Sequence, residues 1–171
     1  MLRYIELPEN EYRCEGIEVL IGGRYKINPC ITKVSAQPYN RIWQGMQRND
    51  EQTEEAYFFS FTADETTEIE VKLSRDFKTA VVRPLSKNII PKISGNIIKF
   101  TVPGEGHYVL EADDFHNAMH IFVNAPLKQP NNNTIVFKNG IHHIGVMRLK
   151  SNQKVFIEDG AVIYGGFTAI N

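Results

Sequence analysis

One tryptophan, two cysteines, no block of like charge and no apolar run near the roughly 18 residues of a membrane-spanning helix mark this sequence by what it lacks. Each shortage removes a class of answer. Without a long apolar run, a helical membrane protein is excluded. Nineteen basic residues against twenty acidic ones give a formal charge of -1, and neither sign gathers into a stripe that would grip a phosphate backbone, so nucleic acid is not an expected partner. Cys14 and Cys30 stand sixteen positions apart, with no Cys-x-x-Cys spacing and no adjacent histidine, and read as reduced structural thiols. A disulfide across the intervening turn and strand stays geometrically open. The opening MLRYIELPEN has no basic segment leading into an apolar core, so no secretory signal is visible and the expectation is a cytoplasmic protein or a processed or engineered form. No Gly-rich phosphate loop, nucleophile elbow or Ser-His-Asp arrangement is readable, and no cofactor is expected.

What is present is a globular composition, 42% hydrophobic and 23% charged, which excludes disorder. The 171 residues suffice for one good-sized domain, or one domain and the start of another. Short β-branched and aromatic runs alternate with Gly, Pro, Asn and Asp, and no long helix is legible. Residues 17–21 stop at the hairpin-type pair Gly22-Gly23, and 24–27 and 31–36 follow. In 67–73, Ile69, Val71 and Leu73 share one face while Glu68, Glu70 and Lys72 share the other. Residues 56–61, 79–83, 96–102, 108–112 and 118–123 read the same way, and so many short strands predict an antiparallel sandwich or barrel. The polar stretch from Tyr39 to Glu55 reads as a long loop or a helical turn.

Lys128-Gln129-Pro130-Asn131-Asn132-Asn133 marks a change of texture. Asn132-Asn133-Thr134 is formally a glycosylation sequon, read here as loop chemistry. Beyond it, 134–137, 142–149, 154–158 and 161–166 are brief apolar stretches broken by Gly140, Ser151-Asn152-Gln153 and Asp159-Gly160, in the style of a solenoid whose coils cover one another. The predicted organisation is a β-sandwich over 1–130 and the first coil of a parallel β-helix over 131–171.

Candidate sites are few. His116 and His120 are four apart, but on a strand they would sit about 13 Å apart with no third ligand at a persuasive offset, so no metal is expected. Asp113-Asp114 reads as a solvated turn, and His142-His143 as a turn or capping pair at the entry to the helix, although in extended chain the two would face opposite ways. Trp43 with Tyr39, beside Arg41 and Gln44, offers an aromatic plane that could stack on a sugar ring, against the alternative of a Trp buried as a core plug.

Gly140-Ile141-His142-His143-Ile144-Gly145, Leu149, and the run from Ser151 through Asp159-Gly160-Ala161 to Tyr164-Gly165 resemble the entry into the right-handed parallel β-helix of polygalacturonase-like enzymes, glycoside hydrolase family 28, and of the related dextranase group. Arg41-Ile42-Trp43-Gln44-Gly45, Gln52-Thr53-Glu54, Val82-Arg83-Pro84-Leu85 and His116 to Phe122 are similar to the β-sandwich that precedes the helix in a bacterial subset of these proteins. The resemblance, from about residue 41 onward, implies an all-β fold: an antiparallel β-sandwich followed by the start of a right-handed parallel β-helix. It also implies a polysaccharide as the parent enzyme's partner. Hydrolysis with inversion needs two carboxyl groups roughly 6.5–9.5 Å apart, one protonated and one ionised. The family places them in Asn-Thr-Asp and Asp-Asp motifs, with Gly-His-Gly and Arg-Ile-Lys following, several coils into the helix. None of these stands at a matching place here, so no catalytic residue carries over. The chain is expected to be a non-catalytic N-terminal portion that caps the helix, shapes one end of the groove and self-associates through an exposed coil. The alternative is an independent sandwich module that binds carbohydrate or protein, its last forty residues finishing the sheet.

Overall fold

Strict alternation decides where the chain is buried. In Thr67–Leu73 the side chains of Thr67, Ile69, Val71 and Leu73 are buried, and Glu68 and Lys72 between them are exposed, because successive side chains of a strand point to opposite faces. The computed structural model describes residues 1–8, 11–35, 53–126, 130 and 134–169. It divides into two compact units, Met1–Tyr4 with Tyr12–Ala125, and Ile5–Glu11 with Pro126–Asn171.

The first unit comprises β1 (Leu2–Tyr4), β2 (Ile17–Ile21), β3 (Tyr25–Ile27), β4 (Cys30–Ser35), β5 (Thr53–Ala63), β6 (Thr67–Leu73), β7 (Ala80–Arg83), β8 (Lys92–Ser94), β9 (Ile97–Val102), β10 (Gly106–Ala112) and β11 (Met119–Asn124). One sheet runs β1-β5-β11-β10-β7, with β4 also on β5; the other runs β3-β2-β6-β9-β8. All the described pairings in these sheets are antiparallel except β5 with β11, which is parallel. The inner faces meet in one apolar cluster: Phe59, Phe61, Leu110 and Ile121 from the first sheet, Val19, Ile69, Val71 and Ile98 from the second. Each such side chain contributes about 1.5–3 kcal/mol when fully buried.

Turns and edges follow from sequence. Three residues, Gly22 to Arg24, join β2 to β3, and Gly22 (φ 58°) and Gly23 (φ 65°) both take the left-handed conformation that side chains resist. The edge strand β8 is three residues long, follows Pro91 and carries Lys92, features that discourage pairing with another chain.

In the second unit, β12 (Thr134–Phe137) pairs in parallel with β14 (Lys154–Ile157), and β13 (Gly140–Leu149) in parallel with β15 (Ala161–Ala169). These are two successive rungs of a solenoid rather than the single coil expected. The register shifts between His143 and Gly145. Ile144 is the extra residue, and Gly145, at φ 61°, makes the bulge that lets β13 bend instead of ending. Against the runs 142–149 and 161–166 read from the sequence, β13 starts two residues earlier and β15 ends three residues later.

One further correction concerns local structure, and the reading of the cysteines as unpaired thiols agrees with the structure. Thr53–Glu55, read as loop, open β5; the rest of the Tyr39–Glu55 stretch lies outside the described residues, as do Asn132-Asn133 and all of the 128–133 linker except Pro130. The two cysteines are free. Arg13 and Cys30 are directly opposed in an antiparallel bridge and share a face, since Arg13 Nη1 donates to Cys30 Sγ at 2.6 Å. Cys14, the next residue along, points to the other face. No disulfide can join two thiols aimed apart.

Phe61 is 1% exposed at the centre of the sandwich. Replacing it with alanine is expected to lower the free energy of unfolding by about 3–5 kcal/mol, read from urea denaturation.

Candidate functional site

Among the described residues, the coil surface and the turn carboxylates gather chemistry-bearing groups. In the coil, lumenal and outward side chains separate cleanly. Phe137, at 7% exposed, packs edge-on against His142 (5.3 Å between ring centroids) and Phe167 (6.0 Å). His143 stacks on its rung partner Tyr164 at 5.0 Å with the rings 12° from parallel. His142 and His143 thus lie inside β13 and serve opposite faces, not a turn; His142 Nε2 lies 2.6 Å from the carbonyl oxygen of Lys138.

The N-terminal segment Ile5–Glu11 belongs to this unit, and the Tyr164 hydroxyl donates to Glu11 Oε1 at 2.9 Å. A side chain at Gly165 would place its Cβ 2.3 Å from the carbonyl oxygen of Gly145. The bulge therefore demands glycine on the following rung. Burial falls from one rung to the next. Ile157 stands opposite Phe137 yet is 45% exposed, and Phe167 is 39% exposed.

The carboxylates of the sandwich are committed to turns. Asp113 Oδ1 accepts from the backbone N–H of Lys78 (2.7 Å) and of Thr79 (3.0 Å), and Arg75 stands 3.5 Å from Oδ2. Those two backbone hydrogen bonds, then Arg75, hold the Asp113 carboxyl below its ordinary value. Asp114 Oδ1 accepts from the His116 N–H at 2.8 Å. Glu54 Oε2 lies 2.5 Å from His116 Nδ1. His120 sits in β11, on the face opposite the core. Among the described residues no three His, Cys, Asp or Glu side chains converge as metal ligands do.

A cavity of about 110 Å3 between the two sheets is lined by Cys14, Tyr57, Ser74, Arg75 and Asn117 among others. Burial, with Cys14 and Glu55 nearby, pushes the Tyr57 phenol up, so it stays a hydrogen-bond donor, here to Glu55 Oε2 at 3.4 Å. Trp43, Tyr39 and Arg41 lie outside the described residues. Sequence reasoning missed Glu54–His116, Arg13–Cys30 and Glu11–Tyr164. Each joins residues far apart in the chain, and only strand order brings them together.

No protein-family model matches the chain, and no curated protein sequence matches it. Among solved structures, Dex49A from Penicillium minioluteum superposes on 95% of this chain with a TM-score of 0.54 at 13% identity. That likeness shows the fold alone. The chain spans 44% of the length of Dex49A. An all-β sandwich with the start of a β-helix is thus the fold of this protein, and nothing in the likeness singles out glycoside hydrolase family 28.

A carboxyl depressed in the folded state adds stability above its ordinary value of 3.8, and that stability is lost as pH falls through the folded value. Asp113→Asn is therefore expected to lower the melting temperature at neutral pH, with the gap to wild type closing as the pH drops below 3.8, measured by thermal melts across a pH series.

Proposed function

We propose that the chain is the non-catalytic N-terminal portion of a polysaccharide-degrading glycoside hydrolase: a sandwich followed by the opening rungs of a right-handed parallel β-helix that continues in the parent enzyme. The observation that carries this reading is the parallel pairing of β12 with β14 and of β13 with β15, with lumenal Ile157 and Phe167 left open to solvent. A parallel coil buries its lumen only against a further coil. The likeness to Dex49A supports this reading at the level of fold. The finer reading, a polygalacturonase-like parent of bacterial type, rests on the motifs from Gly140 to Gly165.

Capping is the role we assign to the first part of the chain. Support comes from Ile5–Glu11, which leaves β1, joins the coil unit and bonds Tyr164 through Glu11 before the chain re-enters the sandwich at Tyr12. Catalysis would come from aspartates on later coils. Asp113, held ionised by its turn, is unsuited to donate a proton to a leaving group.

The independent-module alternative has one observation against it: none of the four strands from Thr134 to Ala169 belongs to either sheet of the sandwich, so these residues do not finish a sheet. Light scattering on the purified 171-residue chain, beside a reducing-sugar assay on dextran and polygalacturonate, tests both readings. The expected result is a self-associating protein without hydrolysis, in which Ile157→Lys with Phe167→Lys reduces the association. A monomer that binds a neutral glycan through the sandwich would favour the module, and hydrolysis by this chain would overturn the non-catalytic assignment.

A further inference from the structure

The outer face of the β3-β2-β6-β9-β8 sheet is polar, and most of its charges are matched across strands. Lys26 Nζ lies 2.7 Å from Glu18 Oε2, and Lys99 Nζ lies 2.6 Å from Glu70 Oε2. Where residues 87–92 run beside β9, a groove of about 460 Å3 opens over this face, within the size range of roughly 300–1,000 Å3 typical of small-molecule sites. Three lysines line it, Lys87, Lys92 and Lys99, against a single carboxylate, Glu68. Lys99 is matched by Glu70, whereas among the described residues neither Lys87 nor Lys92 forms an ion pair. In a chain of net charge -1, that is a local surplus of cation.

The groove is also built to present those cations. Lys87 lies in the three-residue 3₁₀ turn Leu85–Lys87, closed by the Lys87 N–H to the Pro84 carbonyl (3.0 Å) and the Asn88 N–H to the Leu85 carbonyl (3.0 Å), with Asn88 left-handed at φ 50°. Lys92 is fixed by the pairing of β8 with β9, where it stands opposite Lys99. Glu70 answers the Lys99 charge, so among the described residues Lys92 is the member of this opposed pair without an ion-pair partner. Thr66, Thr101 and Asn88 supply neutral hydrogen-bonding groups on the same walls, and Ile90, 83% exposed, adds an apolar one.

We propose that this groove binds a carboxylated saccharide unit, the carboxylate lying between Lys87 and Lys92 and the hydroxyls facing Thr66, Thr101 and Asn88. The anionic half of the inference rests on the lysines; the choice of a saccharide rests on the β-helix reading above. It makes the sandwich a binding surface in its own right, apart from the coil.

Titration of the 171-residue chain with tetragalacturonate, followed through backbone amide shifts, tests the assignment, with an uncharged galactose tetramer and citrate as controls. Saturable shifts are expected at Lys87, Asn88, Lys99 and Thr101 with tetragalacturonate and not with the neutral tetramer. Raising the ionic strength from about 0.01 M to about 0.15 M should weaken binding, because screening shortens the reach of exposed charges. Lys87→Glu with Lys92→Glu should weaken it at least about fivefold while amide dispersion elsewhere in the sandwich is unchanged. Absent or unsaturable shifts, equal binding of the neutral tetramer, or indifference to the double substitution would overturn the site. Citrate binding as well as tetragalacturonate would reduce it to a general anion site and overturn the saccharide assignment. Each of these failures would leave the hydrolase reading standing, since that reading is decided by coil association and hydrolysis.

Discussion

Alternation of side chains across an extended backbone is the constraint on which this protein depends, and its two units meet it differently. In the sandwich, the apolar face of one sheet is covered by that of the other, so β2, β6 and β9 give side chains such as Val19, Val71 and Ile98 that are wholly buried within 171 residues. In the coil, a strand's neighbour lies one rung along, not across a layer. Phe137 is buried because a second rung exists. Ile157, in the same lumenal column, stays open. Similar apolar content thus gives a closed core in one unit and a face that wants covering in the other.

Most of the fold was legible, because period-two patterning with Gly and Asn punctuation specifies a strand's existence locally. The strand of 67–73 could be read residue by residue, and so could the Gly22-Gly23 turn. What failed was set by partners at long range. The three-residue strands β1 and β8 are too short to carry a period, and they exist because β5 and β9 offer edges to pair with. Thr53–Glu55 looked like loop because two glutamates follow a threonine, yet β4 supplies a partner from Ser35 to Lys33. Glycines hid two strand ends: β13 begins at Gly140, which reads as a break, and β15 continues past Gly165-Gly166 to Ala169.

The candidate site was less legible, for a related reason. Motifs fix which residues stand near each other along the chain, whereas Glu54 meets His116, and Lys92 meets Lys99, through sheet order alone. The histidine pair in β13 shows the limit in small. As letters, His142-His143 suggested a cap; on the strand they divide, one joining the lumenal aromatics and the other stacking on Tyr164.

The turn carboxylates bear on what kind of chemistry the sandwich can host. Hydrolysis of a glycosidic bond requires a carboxyl that keeps its proton near neutral pH, which burial among apolar groups or a neighbouring carboxylate provides. Asp113 has the opposite surroundings: two backbone donors and Arg75 favour its ionised form, and solvent reaches it. Asp114 is bonded to the backbone of the next turn, and Glu54 faces a histidine rather than a second acid. Lysines fixed on a hydrogen-bonded turn and on a strand edge present a charge without needing to exchange a proton. The groove proposed above asks for that charge alone, so it needs none of the burial that a proton-donating carboxyl requires.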